Sequence, residues 1–570
     1  MKVDLLIKNA QVFNAYLKRF IAADVAVLDG KFLYVGTQDT PLLDAAEALD
    51  LAGKYLVPGL VDSHMHIESS MAAPQPFTQE LVKNGVTTIV AEPHEIANVF
   101  GVEGIEALLA AAKGCPVDVV IGIPSSVPAT SPELETSGAE LGAAELEALL
   151  ALEDVICLGE VMNYRDVVYR PESKSNQLIR QVKAAKPHFP IEGHCPRLVG
   201  LELSRFLYAG VDSDHTEQTV AGFAERIAGG MFVQLQHKSL KPEVIAYLVE
   251  NELYEHVALA TDDVMPDDLV AHGHLNELVR QAIGLGLSPE MAIYAATFTP
   301  ARRMGLRDRG SIAPGKRADF VVLADVASFA VCRTYKNGVL VFDAAAPTPA
   351  APPADLFPPH FYQSVHLPRL TPAHFTVRVA QADGWAECRV MMVSDGTTFT
   401  REEFVTLPVR NHVLDWESSP YCLAAVFERH GKNGGIGYGL VGGDALKRGA
   451  VATTYAHDHH NLLVVGKTAA DMLAAANSVI ERQGGYYVVE DGAVVAKTDL
   501  PIAGILSDQP LAVLGAELAG VKQALARLGY RHSNVIMSIS TLSLPVSPAL
   551  KLSDKGLILV NEQRLVPLVR

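Results

Sequence analysis

Between residues 58 and 299, short apolar runs alternate with longer amphipathic stretches, and this alternation constrains the fold more than any other feature of the chain. Runs such as 88–91, 117–123 and 257–260 are typical of buried strands, whereas 143–152 has helical spacing. Buried strands that alternate with helices indicate parallel strand–helix–strand units. About eight such units fit the available length, which predicts a (β/α)8 barrel. A doubly wound open sheet has the same periodicity and stays an alternative.

Strand patterns lie on both sides of this region. Residues 1–57 contain several β-rich runs, and the dipeptide Asp29-Gly30 between two of them predicts a hairpin. A similar pattern returns between residues 310 and 343. We predict that residues 1–57 and 300–345 fold together as one composite small β domain, built from both flanks of a barrel over residues 58–299.

The remainder of the chain divides into a linker and a third unit. Residues 346–364 are rich in proline and alanine, which is the composition of a semi-rigid linker. Residues 365–570 combine a capping-box signal at 468–471 with a hairpin signal at Asp491-Gly492. These patterns predict a C-terminal α+β domain. The predicted fold class is therefore α/β, with one small β domain and one α+β domain attached to a barrel.

Charge and cysteine content restrict the partners and the compartment. The chain has 47 basic and 65 acidic residues, and its net charge of −18 disfavours nucleic acid and anionic membrane surfaces as partners. The six cysteines form no C-x-x-C pair, which suits reduced thiols, and the first residues lack a signal-peptide pattern. We expect a soluble cytoplasmic protein, and whether it forms a homo-oligomer stays open.

Side chains with metal-binding chemistry stand where the predicted strands end. His64 and His66 are two residues apart, so an extended strand projects both rings to one face. Imidazole pairs of this kind chelate divalent transition metals. Four more candidates follow later strand runs: Glu160, His194, His215 and Asp262. Any one of them could have a purely structural role, but barrel active sites lie at the carboxyl ends of strands, and the whole set suffices for two ions.

Eight sequence motifs are spread over nearly the whole chain: PGLVDSHMHIESS, AEPHEIANVFG, GEVMNY, GHCP, SDHT, TDD, IAPGKRADFVVL and LPIAGILSD. Together they resemble the bacterial adenine deaminase family of the amidohydrolase superfamily. The resemblance implies a distorted (β/α)8 barrel with a dinuclear site for Mn²⁺ or Fe²⁺, and Zn²⁺ also suits these ligands. It implies one ion on His64, His66 and Asp262 and another on His194 and His215, bridged by Glu160.

The resemblance also implies a reaction and residue roles. The implied reaction is hydrolytic deamination of adenine to hypoxanthine and ammonia by a metal-activated hydroxide. Asp262 is suited to move a proton from the hydroxide to the leaving nitrogen. The ring nitrogen beside the attacked carbon also needs a proton donor, for which Glu95 is the first candidate and Glu68 the second. An equal alternative for both is a structural role in orienting a ligand histidine.

Two further segments are candidates for substrate contact or closure of the site. Ser125 and Ser126 follow a predicted strand and could hydrogen-bond the edge of a purine, or belong to an ordinary loop. His457, Asp458 and His459 lie in a histidine-rich segment of the C-terminal unit. This segment is either a solvated loop or, as the resemblance implies, a loop that reaches across the mouth of the barrel to close it.

The chain departs from the family pattern at a position expected to contact substrate. It has Gln236-His237-Lys238-Ser239 where the family usually has Arg-Glu-Gly-Ser, and Glu92 where the family has aspartate. Gln236 and His237 lie just past a strand end, so we include them among the candidate substrate residues. A different aminopurine, or hydrolysis of a cyclic amide, therefore stays an alternative. A catalytically inactive scaffold is a third reading, which the complete ligand set disfavours.

Overall fold

The N-terminal segment consists of antiparallel and parallel strands joined by tight turns. The computed structural model of the protein describes residues 1–346 and 356–570. The predicted Asp29-Gly30 turn closes a hairpin, and its residues have the positive φ angles of 51° and 71° that such a turn requires. The strands of this segment are β1 (Lys2–Asn14), β2 (Arg19–Leu28), β3 (Lys31–Gly36), β4 (Asp44–Asp50) and β5 (Tyr55–Pro58).

Eight parallel strands follow in the middle of the chain. They are β6 (Leu60–Met65), β7 (Val86–Ala91), β8 (Asp118–Ile123), β9 (Val155–Val161), β10 (Ile191–Gly193), β11 (Ser213–Asp214), β12 (Phe232–Leu235) and β13 (Val257–Leu259). The first five form one sheet in the order β10-β9-β8-β7-β6, and the last three form another in the order β11-β12-β13. Every strand of the larger sheet is mostly or wholly buried, as parallel strands covered on both faces are.

Backbone contacts join the two parallel sheets at both of their meeting points. The N–H of Asp262, just after β13, donates to the carbonyl of His64 in β6 at 3.1 Å. At the other junction the N–H of Asp212 donates to the carbonyl of Ile191 in β10 at 3.3 Å. The eight strands therefore form a curled parallel arrangement whose first and last strands lie side by side.

Helices follow the parallel strands, as the alternating sequence pattern predicted. They are α1 (Pro74–Lys83), α2 (His94–Ala112), α3 (Ala143–Leu150), α4 (Tyr164–Tyr169), α5 (Lys174–Ala185), α6 (Gly200–Ala209), α7 (Val220–Ala228), α8 (Pro242–Glu250), α9 (Pro266–His272), α10 (Leu275–Gly284) and α11 (Pro289–Arg303). Several have Pro at their first or second position, where its missing N–H costs no hydrogen bond. The last helix extends to Arg303, past the predicted boundary at residue 299.

Three strands after α11 return to the N-terminal sheet. They are β14 (Phe320–Leu323), β15 (Val331–Lys336) and β16 (Val339–Asp343). Strand β14 pairs antiparallel with β5, so segments from both flanks of the parallel strands form one eight-stranded sheet. Of the predicted linker at 346–364, residues 347–355 lie outside the described residues. In its described part, Phe361 is buried and stacks on Phe100 with ring centroids 4.0 Å apart.

The C-terminal unit contains a nine-stranded sheet, a three-stranded sheet and three helices. The predicted helix begins at its expected cap, where the N–H of Asp471 donates to the Thr468 hydroxyl at 3.2 Å. The strands are β17 (Gly384–Val393), β18 (Arg401–Arg410), β19 (Val413–Leu414), β20 (Cys422–Phe427), β21 (Ile436–Gly443), β22 (Ala450–Thr453), β23 (Leu462–Gly466), β24 (Gly485–Glu490), β25 (Ala493–Asp499), β26 (Leu550–Ser553), β27 (Gly556–Leu559) and β28 (Arg564–Val566), and the helices are α12 (Ala469–Arg482), α13 (Leu511–Arg527) and α14 (Val535–Ser540).

The C-terminal unit packs directly on the parallel-strand region through α13. This helix lies against α9, and Gly515 makes the approach close: a Cβ at this position would lie 3.0 Å from the carbonyl oxygen of Pro266. Lys522, about two turns further along the same helix, donates to Asp267 at 2.8 Å. Among the described residues, no helix is long and apolar enough to cross a membrane.

We predict that Gly515→Val destabilises the protein and that Gly520→Val in the same helix does so much less. The valine at 515 would push α13 away from α9, and such overpacking costs about 1–3 kcal/mol. Nothing lies within 4 Å of a Cβ at Gly520. Both variants carry the same helix-propensity change, so chemical denaturation of the pair isolates the contact. Equal loss of unfolding free energy would contradict this packing.

Candidate metal centre

Six side chains predicted from the sequence lie together at the carboxyl ends of five parallel strands. Two of them belong to β6 or follow it directly, and the others end or follow β9, β10, β11 and β13. Five of the six are buried, and the sixth, His194, is partly buried. The six residues are His64, His66, Glu160, His194, His215 and Asp262. The structure thus gathers every side chain that the strand-end pattern selected as a metal ligand.

Glu160 occupies the middle of the cluster. Its Oε2 lies 2.9 Å from Nδ1 of His194 and 3.4 Å from Nε2 of His215. Its other oxygen, Oε1, faces the opposite histidine pair and lies 3.7 Å from Nε2 of His66. One carboxylate therefore has an oxygen available on each side, which is the arrangement that a bridging ligand requires.

Asp262 faces the first pair of histidines. Its Oδ1 lies 3.6 Å from Nε2 of His64 and 3.4 Å from Nε2 of His66. These separations are longer than the usual hydrogen bond and match the spacing of atoms that share an ion. The buried Nε2 of His64 has no hydrogen-bond partner among the described residues. Imidazole nitrogens and carboxylate oxygens in this arrangement fit divalent Mn, Fe or Zn.

Electrostatics keep both carboxylates of the cluster ionised. Burial alone would raise the pKa of Glu160, but the adjacent His194 and His215 hold it well below its usual range. Burial likewise opposes ionisation of Asp262, and the neighbouring His64 and His66 lower its pKa well below the usual value. Ionised carboxylates are the form that binds a divalent cation.

Asp214 and Arg226 hold the two loops that carry the second histidine pair. Asp214 accepts hydrogen bonds from the N–H of Cys195 at 3.0 Å and from Nε of Arg226 at 2.7 Å. Arg226 in turn donates through Nη2 to the carbonyl of Cys195 at 2.7 Å. Because Cys195 follows His194 and Asp214 precedes His215, this buried ion pair fixes the backbone on which both imidazoles stand.

Gln236 and Ser125, two predicted substrate residues, hydrogen-bond predicted metal ligands. The amide of Gln236 donates to Oδ2 of Asp262 at 3.0 Å and to the carbonyl of His215 at 2.9 Å. The Ser125 hydroxyl donates to the carbonyl of Glu160 at 2.6 Å. In metalloproteins, contacts of this kind orient the metal ligands.

In the described part of the chain, the neighbouring Ser126 and His237 make no hydrogen bond to the side chain of a predicted ligand. The carbonyl of Ser126 accepts a hydrogen bond from the Asn98 amide at 3.1 Å. His237 is exposed to solvent. Of these predicted substrate residues, only His237 therefore has a side chain at the surface.

Glu92 is fully enclosed beneath Glu160 and was recognised in the sequence only as a departure from the family pattern. Its Oε2 accepts a hydrogen bond from the N–H of Glu160 at 3.1 Å. Burial, with the nearby charge of Glu160, raises the pKa of Glu92 well above its usual range. The carboxyl fits because two glycines leave space: a Cβ would lie 1.7 Å from Oε2 at Gly159 and 2.9 Å from it at Gly122.

The two predicted proton donors lie beside the cluster in different environments. Oε1 of Glu68 accepts a hydrogen bond from the N–H of Ile96 at 3.3 Å, and its buried Oε2 has no partner among the described residues. Burial and the charge of Glu95 raise the pKa of Glu68 to about 7. Burial would also raise the pKa of Glu95, but His457 and His460 hold it well below its usual range.

The histidine-rich segment between β22 and β23 is buried against the metal-binding region. Nδ1 of His457 lies 2.7 Å from Oε1 of Glu95, and Oδ1 of Asp458 lies 3.7 Å from Nε2 of His94. His459 contacts the backbone instead, where its Nδ1 accepts from the N–H of Asn461 at 3.0 Å. The loop therefore lies across the strand ends, and a solvated loop, the alternative reading, is not what the structure has.

His94 is a site residue that the sequence analysis did not select. It begins α2, just after β7, and its Nδ1 lies 3.8 Å from Oε1 of Glu160. It stands at the same kind of position as the predicted ligands, because it follows a parallel strand at the carboxyl end. The rule that selected the other histidines would have found His94 if it had been applied to every strand.

Comparison with known families agrees with this architecture. Residues 55–341 match the amidohydrolase family, and residues 397–564 match the adenine deaminase C-terminal domain. A curled parallel sheet with histidines and carboxylates at the strand ends is the architecture of a metal-dependent amidohydrolase. The chain belongs to the adenine deaminase family within that class, as the sequence motifs had indicated.

Full-length relatives support this membership. The chain is 52% identical over 569 residues to adenine deaminase 2 of Shouchella clausii, covering 100% of this chain and 99% of that protein. It is 49% identical over 573 residues to an adenine deaminase of Clostridium perfringens strain ATCC 13124, covering 100% of both. Among solved structures, a crystal structure of an adenine deaminase matches with a TM-score of 0.46 and 18% identity, covering 60% of this chain and 100% of that one.

We predict that Gly159→Ala destabilises the protein unless Glu92 is shortened. The added methyl group would collide with the enclosed Glu92 carboxyl, which costs about 1–3 kcal/mol by overpacking. In a Glu92→Asp background the carboxyl is one methylene shorter, and the same substitution should cost less. The four proteins of this double-mutant cycle are compared by denaturant unfolding. Additive effects would contradict the contact, and Gly284→Ala, where nothing lies within 4 Å of the new methyl group, is the uncoupled control.

Proposed function

We propose that the protein hydrolyses adenine to hypoxanthine and ammonia at a dinuclear centre of divalent ions, on a distorted (β/α)8 barrel. The observation that carries this proposal is the position of Glu160, with one oxygen facing His66 and the other facing His194 and His215. With an oxygen toward each histidine group, this carboxylate would be able to help hold two cations. Near-complete coverage of relatives named adenine deaminase supports adenine as the substrate.

His64, His66 and Asp262 would hold one ion, and His194 and His215 the other, with Glu160 between them. When bound, the ions would supply Lewis-acid activation of water, which provides a nucleophile at neutral pH. Mn²⁺ and Fe²⁺ are the proposed ions, and the nitrogen and oxygen donors also suit Zn²⁺. The buried neighbours of the ligands hold the two sides of the site at fixed spacing.

Asp262 would carry the proton that the reaction must move. The Gln236 amide binds Oδ2, which fixes the carboxylate plane, while Oδ1 faces the histidines. A carboxylate held in this way can accept a proton from the attacking water and release it to the departing amine as ammonia. The Gln236 amide donates its hydrogen bond to Asp262 and so helps to position that carboxylate. The departure from the family pattern at position 236 therefore gives no reason to prefer another aminopurine as substrate.

Glu68 fits the role of ring-nitrogen donor better than Glu95. A donor must hold a proton near neutral pH, and the pKa of Glu68 is raised to about 7, whereas that of Glu95 is lowered. The Oε2 atom of Glu68 is also unpartnered among the described residues, so it can meet a substrate atom. Glu95 is engaged by two histidines of the C-terminal unit.

The loop that carries His457 and Asp458 would close the site over bound substrate. It is buried against His94 and Glu95, and Nδ1 of His94 lies 3.8 Å from Oε1 of Glu160. Closure would exclude bulk water, so that the activated water is the one that attacks.

The six cysteines are free, which supports the proposed cytoplasmic location.

We predict that Glu160→Gln and Asp262→Asn each abolish ammonia release from adenine after loading with Mn²⁺. Loss of the proton carrier alone lowers rates by about 10²- to 10⁴-fold, and loss of the central carboxylate removes a contact to both ions. Metal content measured on the same samples should fall in Glu160→Gln. Glu217→Gln, on an exposed carboxylate just after His215, is the matched control and should retain full activity. Activity that survives both substitutions would refute these roles.

For Glu68→Gln we expect a fall in kcat of about 10²- to 10⁴-fold with unchanged metal content. The amide preserves the shape of the side chain but has no acidic proton at neutral pH. Steady-state kinetics with adenine, 2,6-diaminopurine and hydantoin, together with metal analysis, separate the donor role from a ligand-orienting role. A normal kcat would exclude Glu68 as the donor, and ring opening of hydantoin without ammonia release from adenine would favour the cyclic-amide alternative.

A further inference from the structure

A second cluster of metal-binding side chains lies beside the proposed dinuclear centre, at the contact between the parallel-strand region and the C-terminal unit. It consists of His94 and Glu95 at the start of α2 and His457 and Asp458 in the loop after β22. The donor atoms of His94, His457 and Asp458 lie close enough together to share an ion, and Glu95 forms an adjoining group with His457 and His460. All four are buried. We propose that these four residues form a third metal site, which binds one divalent transition-metal ion.

The geometry of the four donor atoms supports this site. Nε2 of His94 lies 3.7 Å from Oε1 of Glu95 and 3.7 Å from Oδ1 of Asp458. Nδ1 of His457 lies 2.7 Å from the same Glu95 oxygen and 3.5 Å from the same Asp458 oxygen. Four ligands about 2.1 Å from a tetrahedral ion lie about 3.4 Å from one another. Three of these four separations, at 3.5–3.7 Å, lie near that spacing, and the contact between Glu95 and His457 is shorter.

Hydrogen bonding does not account for these contacts. Oε1 of Glu95 lies 2.7 Å from a ring nitrogen of His457, yet this oxygen has no aligned hydrogen-bond donor among the described residues. A short but misaligned contact means that the two atoms face a common point rather than each other.

The charges of the cluster match a divalent cation. Glu95 and Asp458 contribute two carboxylates, and neutral histidines are the usual nitrogen ligands of such ions. On its other side, Oε2 of Glu95 contacts Nε2 of His460, and these two atoms also lack an aligned hydrogen-bond partner among the described residues. The loop itself is fixed by the buried Arg429, which donates to the carbonyls of Ser364 at 2.9 Å and Ala503 at 2.8 Å and to that of His460.

An ion at this position would connect the C-terminal unit to the catalytic centre. Two of its ligands belong to each unit, and they are more than 300 positions apart in the sequence. The imidazole of His94 would present Nε2 to this ion, while its Nδ1 lies 3.8 Å from Oε1 of Glu160. Docking of the C-terminal unit and the geometry of the dinuclear centre would thus be coupled through one ring. The inference does not depend on the identity of the substrate.

The test counts ions in the full-length protein. Chelator-treated protein is loaded with Mn²⁺ or, in a separate preparation, with Zn²⁺, freed of loosely bound metal by gel filtration and analysed by mass spectrometry. Asp458→Asn and Glu95→Gln each replace one proposed ligand by an amide of the same shape, which binds these ions poorly. Glu135→Gln is the matched control, because this buried carboxyl lies near Asp458 but accepts a hydrogen bond from the N–H of Thr130 at 2.7 Å.

The decisive quantity is the difference in bound ions per chain between the parent protein and each variant, whatever the total number of ions. We expect three ions per chain in the parent protein and in Glu135→Gln, and one fewer in Asp458→Asn and Glu95→Gln with at least one of the metals. An unchanged count in both ligand variants would overturn the proposal in favour of a metal-free ion pair of Glu95 with protonated His457. Loss of an ion in Glu135→Gln would overturn it as well. A failed adenine assay would leave the ion difference unaffected, so the two proposals fail separately.

Discussion

A buried carboxylate at position 160 is the constraint on which the rest of the structure depends. A charge at this depth is costly unless it is compensated, and Glu160 is compensated by imidazoles on both sides. Two hydrogen bonds fix the backbone of Glu160. The Ser125 hydroxyl donates to its carbonyl, and the Glu92 carboxyl accepts a hydrogen bond from its N–H. Glycine at position 159 follows from the same requirement, since any side chain there would displace Glu92. Fold and site are therefore specified together at this strand end.

Much of this arrangement could be predicted because parallel strands have a simple geometry. Residues that follow different strands meet at one edge of the sheet, so His64, Glu160 and Asp262 could be placed together without knowledge of the path between them. Local signals were equally direct: the Asp29-Gly30 hairpin and the Thr468 helix cap lie where the sequence predicted them. These features depend on a few neighbouring residues and not on long-range packing.

The remaining features depend on contacts that no local pattern encodes. The approach of His457 to Glu95 requires the C-terminal unit to dock on the parallel strands, and that docking rests on surfaces such as the α9–α13 contact at Gly515. The hydrogen bond from the Gln236 amide to Asp262 depends on side-chain rotamers, which the position of Gln236 after β12 does not specify. His94 follows β7 at its carboxyl end, so the same strand-end geometry places it beside Glu160.

The central claim is that two cations lie on either side of Glu160, and anomalous X-ray diffraction from crystals of the Mn²⁺-loaded protein tests it most directly. The account predicts two strong peaks about 3.5–4 Å apart, one beside His64, His66 and Asp262 and the other beside His194 and His215. Absence of any peak within coordination distance of Glu160 would contradict the account.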